Sequence, residues 1–204
     1  MSRPRPGVLA LQGSSEPHLE RFVDLSLDPV EVRRERHLDG ITHLVIPGGE
    51  STTIWHLMQL FGLWHEVPAR FRAGAFALMG TCAGAILLGQ EDGQRPPRLA
   101  LLDARCTRNA YGRQRESFSR EIELDGIPGG GFHAVFIRAP RFASVGAGVR
   151  VIARDGDDPV LVEAPGVMAA TFHPELTPDA RIHERFLRMT SRAVATPATA
   201  GTES

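Results

Sequence analysis

The chain reads as an α/β fold built on a mostly parallel sheet covered on both faces. Three observations carry that reading. Short apolar strand patterns alternate with amphipathic helical ones through the N-terminal half, the mark of parallel βαβ units. One apolar run ends in a Gly-x-Cys-x-Gly turn and passes at once into a second apolar run. A length of 204 residues with 42% hydrophobic content suits one sizeable domain with its own core.

Gly7-Val8-Leu9-Ala10-Leu11 is a short buried strand that stops at Gln12-Gly13. Pro17 to Leu25 carries Leu19, Phe22 and Val23 at helical spacing and forms the first helix. Val30 to Arg33 is a weaker strand, interrupted by charges. His43-Leu44-Val45-Ile46 is a third, halted by Pro47-Gly48-Gly49. Ser51 to Leu63 reads as a helix with Ile54, Leu57, Met58 and Phe61 on one face. Gly74 to Met79 is the strand before the cysteine turn, and Ala85-Ile86-Leu87-Leu88 starts a helix after it. The second half is strand-rich. Glu121 to Leu124, Phe132 to Arg138, Val149 to Ala153, Val160 to Glu163 and Val167 to Phe172 are separated by Gly, Pro and Asp turns, and several are expected to pair antiparallel. Pro178 to Arg192 is the last helix, with Ile182, Phe186 and Met189 inward. Positions 1–192 are therefore expected to form the single domain. The small, polar tail 193–204 is expected to be disordered.

Bulk properties narrow the chemistry. A net charge of -1 makes no electrostatic case for nucleic acid or an anionic membrane. No apolar run is long enough to span a bilayer, and Met1 to Pro6 lacks a signal-peptide core. The two cysteines, Cys82 and Cys106, are too few for a disulfide framework and lie in no Cys-x-x-Cys pair. The expectation is a cytoplasmic protein with a reduced thiol and no metal or cofactor.

That thiol is Cys82. Gly80-Thr81-Cys82-Ala83-Gly84 is the sulfur version of the nucleophile elbow, where a sharp strand-to-helix turn lifts the central side chain out of the sheet. A helix N-terminus beneath the sulfur favours thiolate. Cys106 has no such frame and reads as a small buried hydrophobe. A thiol nucleophile needs a base and a group that orients the base. His173 is delivered to a strand end by Gly166 to Phe172. Pro174 is expected to keep the segment extended, so that Glu175 points to the same side and fixes the ring tautomer. His18, His37, His43, His56, His65, His133 and His183 lack an orienting carboxylate in a comparable setting and read as surface or core residues. Backbone N–H groups of Ala83 and of Gly49, in the loop Pro47-Gly48-Gly49-Glu50-Ser51, suit an oxyanion hole, with Ser51 as the helix cap. A guanidinium in the donor-rich stretch Arg108 to Gln114 could hold a substrate carboxylate, although composition alone favours a solvated basic loop. These residues alone leave open a cysteine peptidase or related hydrolase, and a non-enzymatic subunit whose triad is idle.

A resemblance narrows the choice. Pro47-Gly48-Gly49-Glu50-Ser51-Thr52, the cysteine elbow and His173-Pro174-Glu175 resemble class I, triad-type glutamine amidotransferases. Leu11-Gln12-Gly13, Arg108 to Gln114, Phe136-Ile137-Arg138-Ala139-Pro140 and Phe172 to Leu176 resemble, more narrowly, glutaminase subunits of pyridoxal 5'-phosphate synthases. The resemblance implies a three-layer, flavodoxin-like class I glutamine amidotransferase fold with a mixed, mostly parallel central sheet. It implies hydrolysis of L-glutamine to glutamate and ammonia by Cys82, His173 and Glu175. Gly49, Glu50, Ser51, Arg108, Ile137 and Arg138 would contact glutamine. The implied partner is a (β/α)8 barrel synthase subunit, in a large hetero-oligomer, that activates the glutaminase on docking. A glutaminase serving a different synthase is the alternative within this resemblance. One departure stands out: Pro17, not an acidic residue, precedes His18.

Overall fold

The structure, a computed structural model, describes residues 3–91, 93, 95–108 and 117–191. The tail expected at 193–204 and the stretch Asn109 to Gln114 lie outside the described residues. In chain order the elements are β1 (Pro6–Leu9), α1 (Ser15–Asp24), β2 (Val30–Val32), β3 (His43–Ile46), α2 (Ser51–Leu60), α3 (Leu63–Arg72), β4 (Ala77–Thr81) and α4 (Ala83–Leu88). Then follow β5 (Ala104–Thr107), β6 (Ser117–Ile122), β7 (Phe132–Ile137), β8 (Arg141–Val145), β9 (Arg150–Asp155), β10 (Asp158–Ala164), β11 (Val167–Ala170) and α5 (Arg181–Leu187).

The central sheet runs β2-β1-β3-β4-β11-β10-β9. Its pairings from β2 to β11 are parallel, and β10 joins β11 and β9 antiparallel. The sheet is therefore mixed and mostly parallel, as expected. Side chains alternate across it with the period of a strand. Leu44, Ile46, Leu78, Val167 and Ala169 enter one core with Ile54, Met58, Val67 and Leu87 of α2, α3 and α4. Val45, Ala77, Met79, Met168 and Ala170 enter the other, with Phe22 of α1 and Ile182 and Phe186 of α5. Two ribbons complete these layers: β5 pairs β8 beside the first core, and β6 pairs β7 over the second.

Three expectations need correction. The helix expected over Ser51 to Leu63 ends at Leu60; the chain turns at Gly62, φ 77°, and a helix that was not expected, α3, begins at Leu63. Strands β5 and β8 were not foreseen. The last helix spans seven residues, short of the expected Pro178 to Arg192.

The order 2-1-3-4 places a crevice where connections from β1 and β3 leave in opposite directions. Ligands in open α/β sheets bind at such a switch point, outside the carboxyl ends of the strands. The loops after β1, β3, β4 and β11 all open there.

Candidate active site

Strand β4 is buried along its whole length, between β3 and β11. The Cys82 N–H continues its ladder to Ala170 O at 2.8 Å, and α4 begins at the next residue. The backbone therefore reverses within one residue. Cys82 takes φ 48° and ψ -103°, a region that costs about 1–3 kcal/mol and persists only where packing enforces it. Gly84 permits the packing: a Cβ there would lie 1.9 Å from Ile46 O. The sulfur sits 3.8 Å from Ile137 O, and Cys82 is 8% exposed.

His173 is fixed from both sides. Its N–H donates to Val135 O at 2.8 Å, and its Nδ1 meets Glu175 Oε1 at 2.7 Å. The pairing was expected, but its route differs. Pro174–Leu176 form a 3₁₀ turn, not an extended segment, closed by Leu176 N–H to His173 O. Proline is compatible because its missing N–H would be unpaired at a helix start. With Nδ1 held by Glu175, Nε2 remains for Cys82. Burial pushes the His173 imidazole down, but hydrogen bonds to Cys82 and Glu175 and their charges outweigh it and raise it to about 10. Burial likewise pushes the Glu175 carboxyl up, and it is overcome by electrostatic attraction to the adjacent His18 ring and the bond from His173, so that the group ends below its ordinary value.

The loop after β3 lies over both side chains. A Cβ on Gly48 would meet His173 Cε1 at 2.3 Å and Cys82 Cβ at 3.3 Å, so only glycine fits. Gly48 O accepts the Ser14 N–H at 2.9 Å, and the Glu50 N–H donates to Gln12 Oε1 at 2.9 Å. Glu50, not Ser51, caps α2: its carboxylate accepts the Thr52 and Thr53 N–H groups at 3.2 and 2.7 Å. Desolvation pushes the carboxyl up, and the bonds from Thr53 and Thr52 together outweigh it and hold the group at about 2. Ser51 is instead the first helical residue, buried, its Oγ without a protein partner. Arg108 reaches Glu50 Oε1 at 3.0 Å, so its guanidinium is already paired.

Gly49, Glu50, Ser51, Cys82, Ala83, Arg108, Ile137, Arg138 and His173 line one cavity of about 280 Å³. Glu175 stands behind His173, off the cavity wall. Arg138 follows β7 with φ 43°. Gln12, Ser14 and Ile86 also line the cavity; of these only Gln12 had been singled out, in the Leu11-Gln12-Gly13 motif. A larger cavity, about 600 Å³, lies elsewhere beside α5. Its Arg150, Arg181, Arg185 and Arg188 are paired with Asp125, Asp179, Glu163 and Glu184, and its described lining holds no cysteine, serine or histidine.

Two histidines have carboxylate neighbours that the sequence reading denied them. His133 meets Glu121 at 2.8 Å across the exposed β6–β7 ladder. His18, fully buried on α1, lies 3.3 Å from Glu175 Oε2. The only sequence signal for the latter is that His18 and Phe22 share one face of α1. Cys106 is buried, as read.

Comparison with known proteins points the same way. The profile of the SNO glutamine amidotransferase family matches residues 8–192. The chain is 51% identical over 185 residues to a protein of Thermus thermophilus named pyridoxal 5'-phosphate synthase subunit PdxT, covering 90% of this chain and 96% of that one. A protein of the same name from Parafrankia is 47% identical, over 93% of this chain and 94% of its own. A crystal structure described as a glutamine amidotransferase superposes with a TM-score of 0.85 at 50% identity, over 89% of this chain and 96% of that one. With a match along nearly its whole length, the chain belongs to the SNO glutamine amidotransferase family.

Proposed function

We propose that the chain hydrolyses L-glutamine to L-glutamate and ammonia, and that the ammonia goes to the synthase subunit of a pyridoxal 5'-phosphate synthase. One observation carries the chemical reading: a strained cysteine, a histidine and a carboxylate in series at the strand ends, beneath a glycine loop that closes a cavity. The relatives' printed name, a subunit of pyridoxal 5'-phosphate synthase, carries the partner.

The Cys82 thiolate attacks the side-chain amide carbon of glutamine, and the carbonyl π electrons move to oxygen. An imidazolium at His173 is the counter-ion that such a thiolate needs. Backbone N–H groups of Gly49 and Ala83 stabilise the oxyanion. The Ala83 N–H heads α4 and so has no partner within that helix. Because Gly48 O is turned to Ser14, a planar trans peptide directs the Gly49 N–H the opposite way. His173 gives its proton to the leaving nitrogen, and ammonia departs as the C–N bond breaks. His173 then takes a proton from water, whose oxygen attacks the thioester; sulfur leaves as thiolate when glutamate is released, and the proton kept on His173 restores the starting ion pair. Glu175 keeps the ring in the required tautomer.

Arg108 and Glu50 form the polar side of the binding site, with Ser51, Ile137 and Arg138. Glutamine must share or open the Arg108–Glu50 pair before its carboxylate can use the guanidinium. That requirement supports a glutaminase that is weak alone and strengthened by the docked barrel. A nucleophile that must stay reduced fits a cytoplasmic setting. The test is ammonia release from glutamine with and without a candidate synthase barrel. Release that rises on complex formation is expected; no release in either condition would overturn the reading.

A further inference from the structure

Behind the triad lies a second row of buried polar side chains that the reaction above does not use. His18 Nδ1 is 2.9 Å from His183 Nε2 on α5. His18 Nε2 is 3.2 Å from Thr81 Oγ1 and 3.3 Å from Glu175 Oε2. Thr81 Oγ1 in turn accepts the Gly48 N–H at 3.1 Å. His18, Thr81 and His183 are all fully buried. One imidazole thus touches the carboxylate that orients the base, the residue before the nucleophile and, through Thr81, the glycine loop.

We infer that His18 is a positioning residue of the glutaminase triad, held as the neutral Nε2–H tautomer and clamping Glu175 from the side opposite His173; this rests on the glutaminase reading above. The proton assignment follows from satisfying each group in turn. Glu175 is ionised and can only accept. Its Oε1 takes the His173 Nδ1–H, so Oε2 requires a different donor, and His18 Nε2 is within ion-pair distance of it. At 3.3 Å Oε2 still lacks a full hydrogen bond, consistent with one N–H shared between Oε2 and Thr81 Oγ1. His18 Nδ1 must then accept, which makes His183 Nε2 the donor. The His183 Nδ1 left over is a bare acceptor, and it has no partner among the described residues. Burial supports both rings being neutral, since it pushes each below its ordinary value, against the attraction of Glu175 in the case of His18.

The consequence is mechanical. A carboxylate held at one oxygen only can rotate about its last torsion and release Nδ1 of the base. Held at both, it presents Oε1 to His173 throughout the cycle. His18 is absent from the cavity wall, so its removal should leave glutamine binding alone.

The test compares wild type, His18→Leu and His18→Gln in steady-state glutamine hydrolysis, assayed with the synthase barrel, alongside thermal unfolding. Leucine should lower kcat by about tenfold to a hundredfold with KM within twofold. That is less than the full contribution of a general acid–base group. Glutamine, whose Nε2 can occupy the position of the imidazole Nε2, should recover most of kcat. A purely structural role would lower Tm in both variants and spare kcat in the folded fraction, which overturns the proposal. Nitrogen-15 NMR of the wild type decides it without any substitution. His18 as the Nε2–H tautomer near neutral pH supports it; a proton on Nδ1, or on both nitrogens, overturns it. An inactive wild type would bring down the glutaminase reading, and the proposal with it. An active wild type with an unimpaired His18→Leu variant would bring down the proposal alone.

Discussion

The floor and the rim of the cavity are built on opposite principles. Cys82, His173 and Glu175 are each less than a tenth exposed; backbone bonds to Ala170 and Val135 hold the first two at strand ends, and His173 holds the third from the adjoining turn. Glu50 and Arg108 at the rim are a third to a half exposed; Glu50 is held by the N–H groups that it caps, and Arg108 pairs with it. A nucleophile gains from a fixed position, because misplacement by about 1 Å can cost roughly a hundredfold in rate. A recognition pair in water gains from being exchangeable, since an exposed ion pair is worth only about 0–1 kcal/mol. On the proposed reading the sheet carries the chemistry, and loops at its edge carry the binding.

Substitutions on the floor should be the most damaging. Cys82→Ala should lower kcat by roughly 10⁴-fold or more while Tm holds, since the alanine fills the same turn. Glu175→Gln should follow, at about 10²- to 10⁴-fold. Its amide can offer oxygen to His173 only by turning NH₂ toward the His18 Nε2–H, donor against donor. Retained ammonia release in either variant, assayed with the barrel, would mean that the chemistry is not on the floor.

At the rim the expected signature is the reverse. Arg108→Ala should raise KM for glutamine by about tenfold and change kcat by less than threefold or so, because it removes binding common to ground and transition states. A kcat loss as large as that of Glu175→Gln would erase the distinction between the two regions.

Titration offers a further separation. His173 is raised from its ordinary 6.5 to about 10 in the folded chain. A raised pKa stabilises the fold fully below the unfolded value and loses that contribution as pH rises through the folded one. The stability advantage of wild type over His173→Asn should therefore be full below about pH 6.5 and shrink toward pH 10. Urea unfolding at pH 6, 8 and 10 measures it; an advantage that grows with pH would contradict the imidazolium.

The floor was also the more legible region. Continuous apolar runs at Leu44-Val45-Ile46 and before Cys82 are local signals of strands buried on both faces, and so are the glycines flanking the sulfur. His173 and Glu175 are two residues apart, so their pairing could be read even though the turn between them was misjudged. The missed features depend on distance in the chain. Strands β5 and β8 exist because they pair with each other across an intervening hairpin. Arg105, Arg141 and Ala143 on them face solvent, which blurs any apolar pattern. His18 finds Glu175 only because α1 packs beside the 3₁₀ turn, 157 positions later in the chain. The cap of α2 was assigned to Ser51 by residue preference, whereas the longer Glu50 reaches both N–H groups from one position earlier.

That cap gives the smallest and most discriminating effect. Glu50 both caps α2 and holds Arg108, so one substitution touches helix and rim together. Its carboxyl lies at about 2 against an ordinary 4.5. A depressed pKa contributes stability above the unfolded value and loses it as pH falls through the folded one. Glu50→Gln should therefore cost about 0.5–1 kcal/mol at pH 7, a typical cap discounted for solvent exposure, and nothing by about pH 2. Urea midpoints at pH 7 and pH 3 should show the difference narrowing between them. Glutamine can still accept one of the two N–H groups, but it can no longer hold the guanidinium. If the pair restrains substrate entry, the same variant should lower KM for glutamine in the isolated chain while Arg108→Ala raises it. If KM instead rises in both, Glu50 belongs to the binding surface itself, and the rim is a recognition site without a barrier.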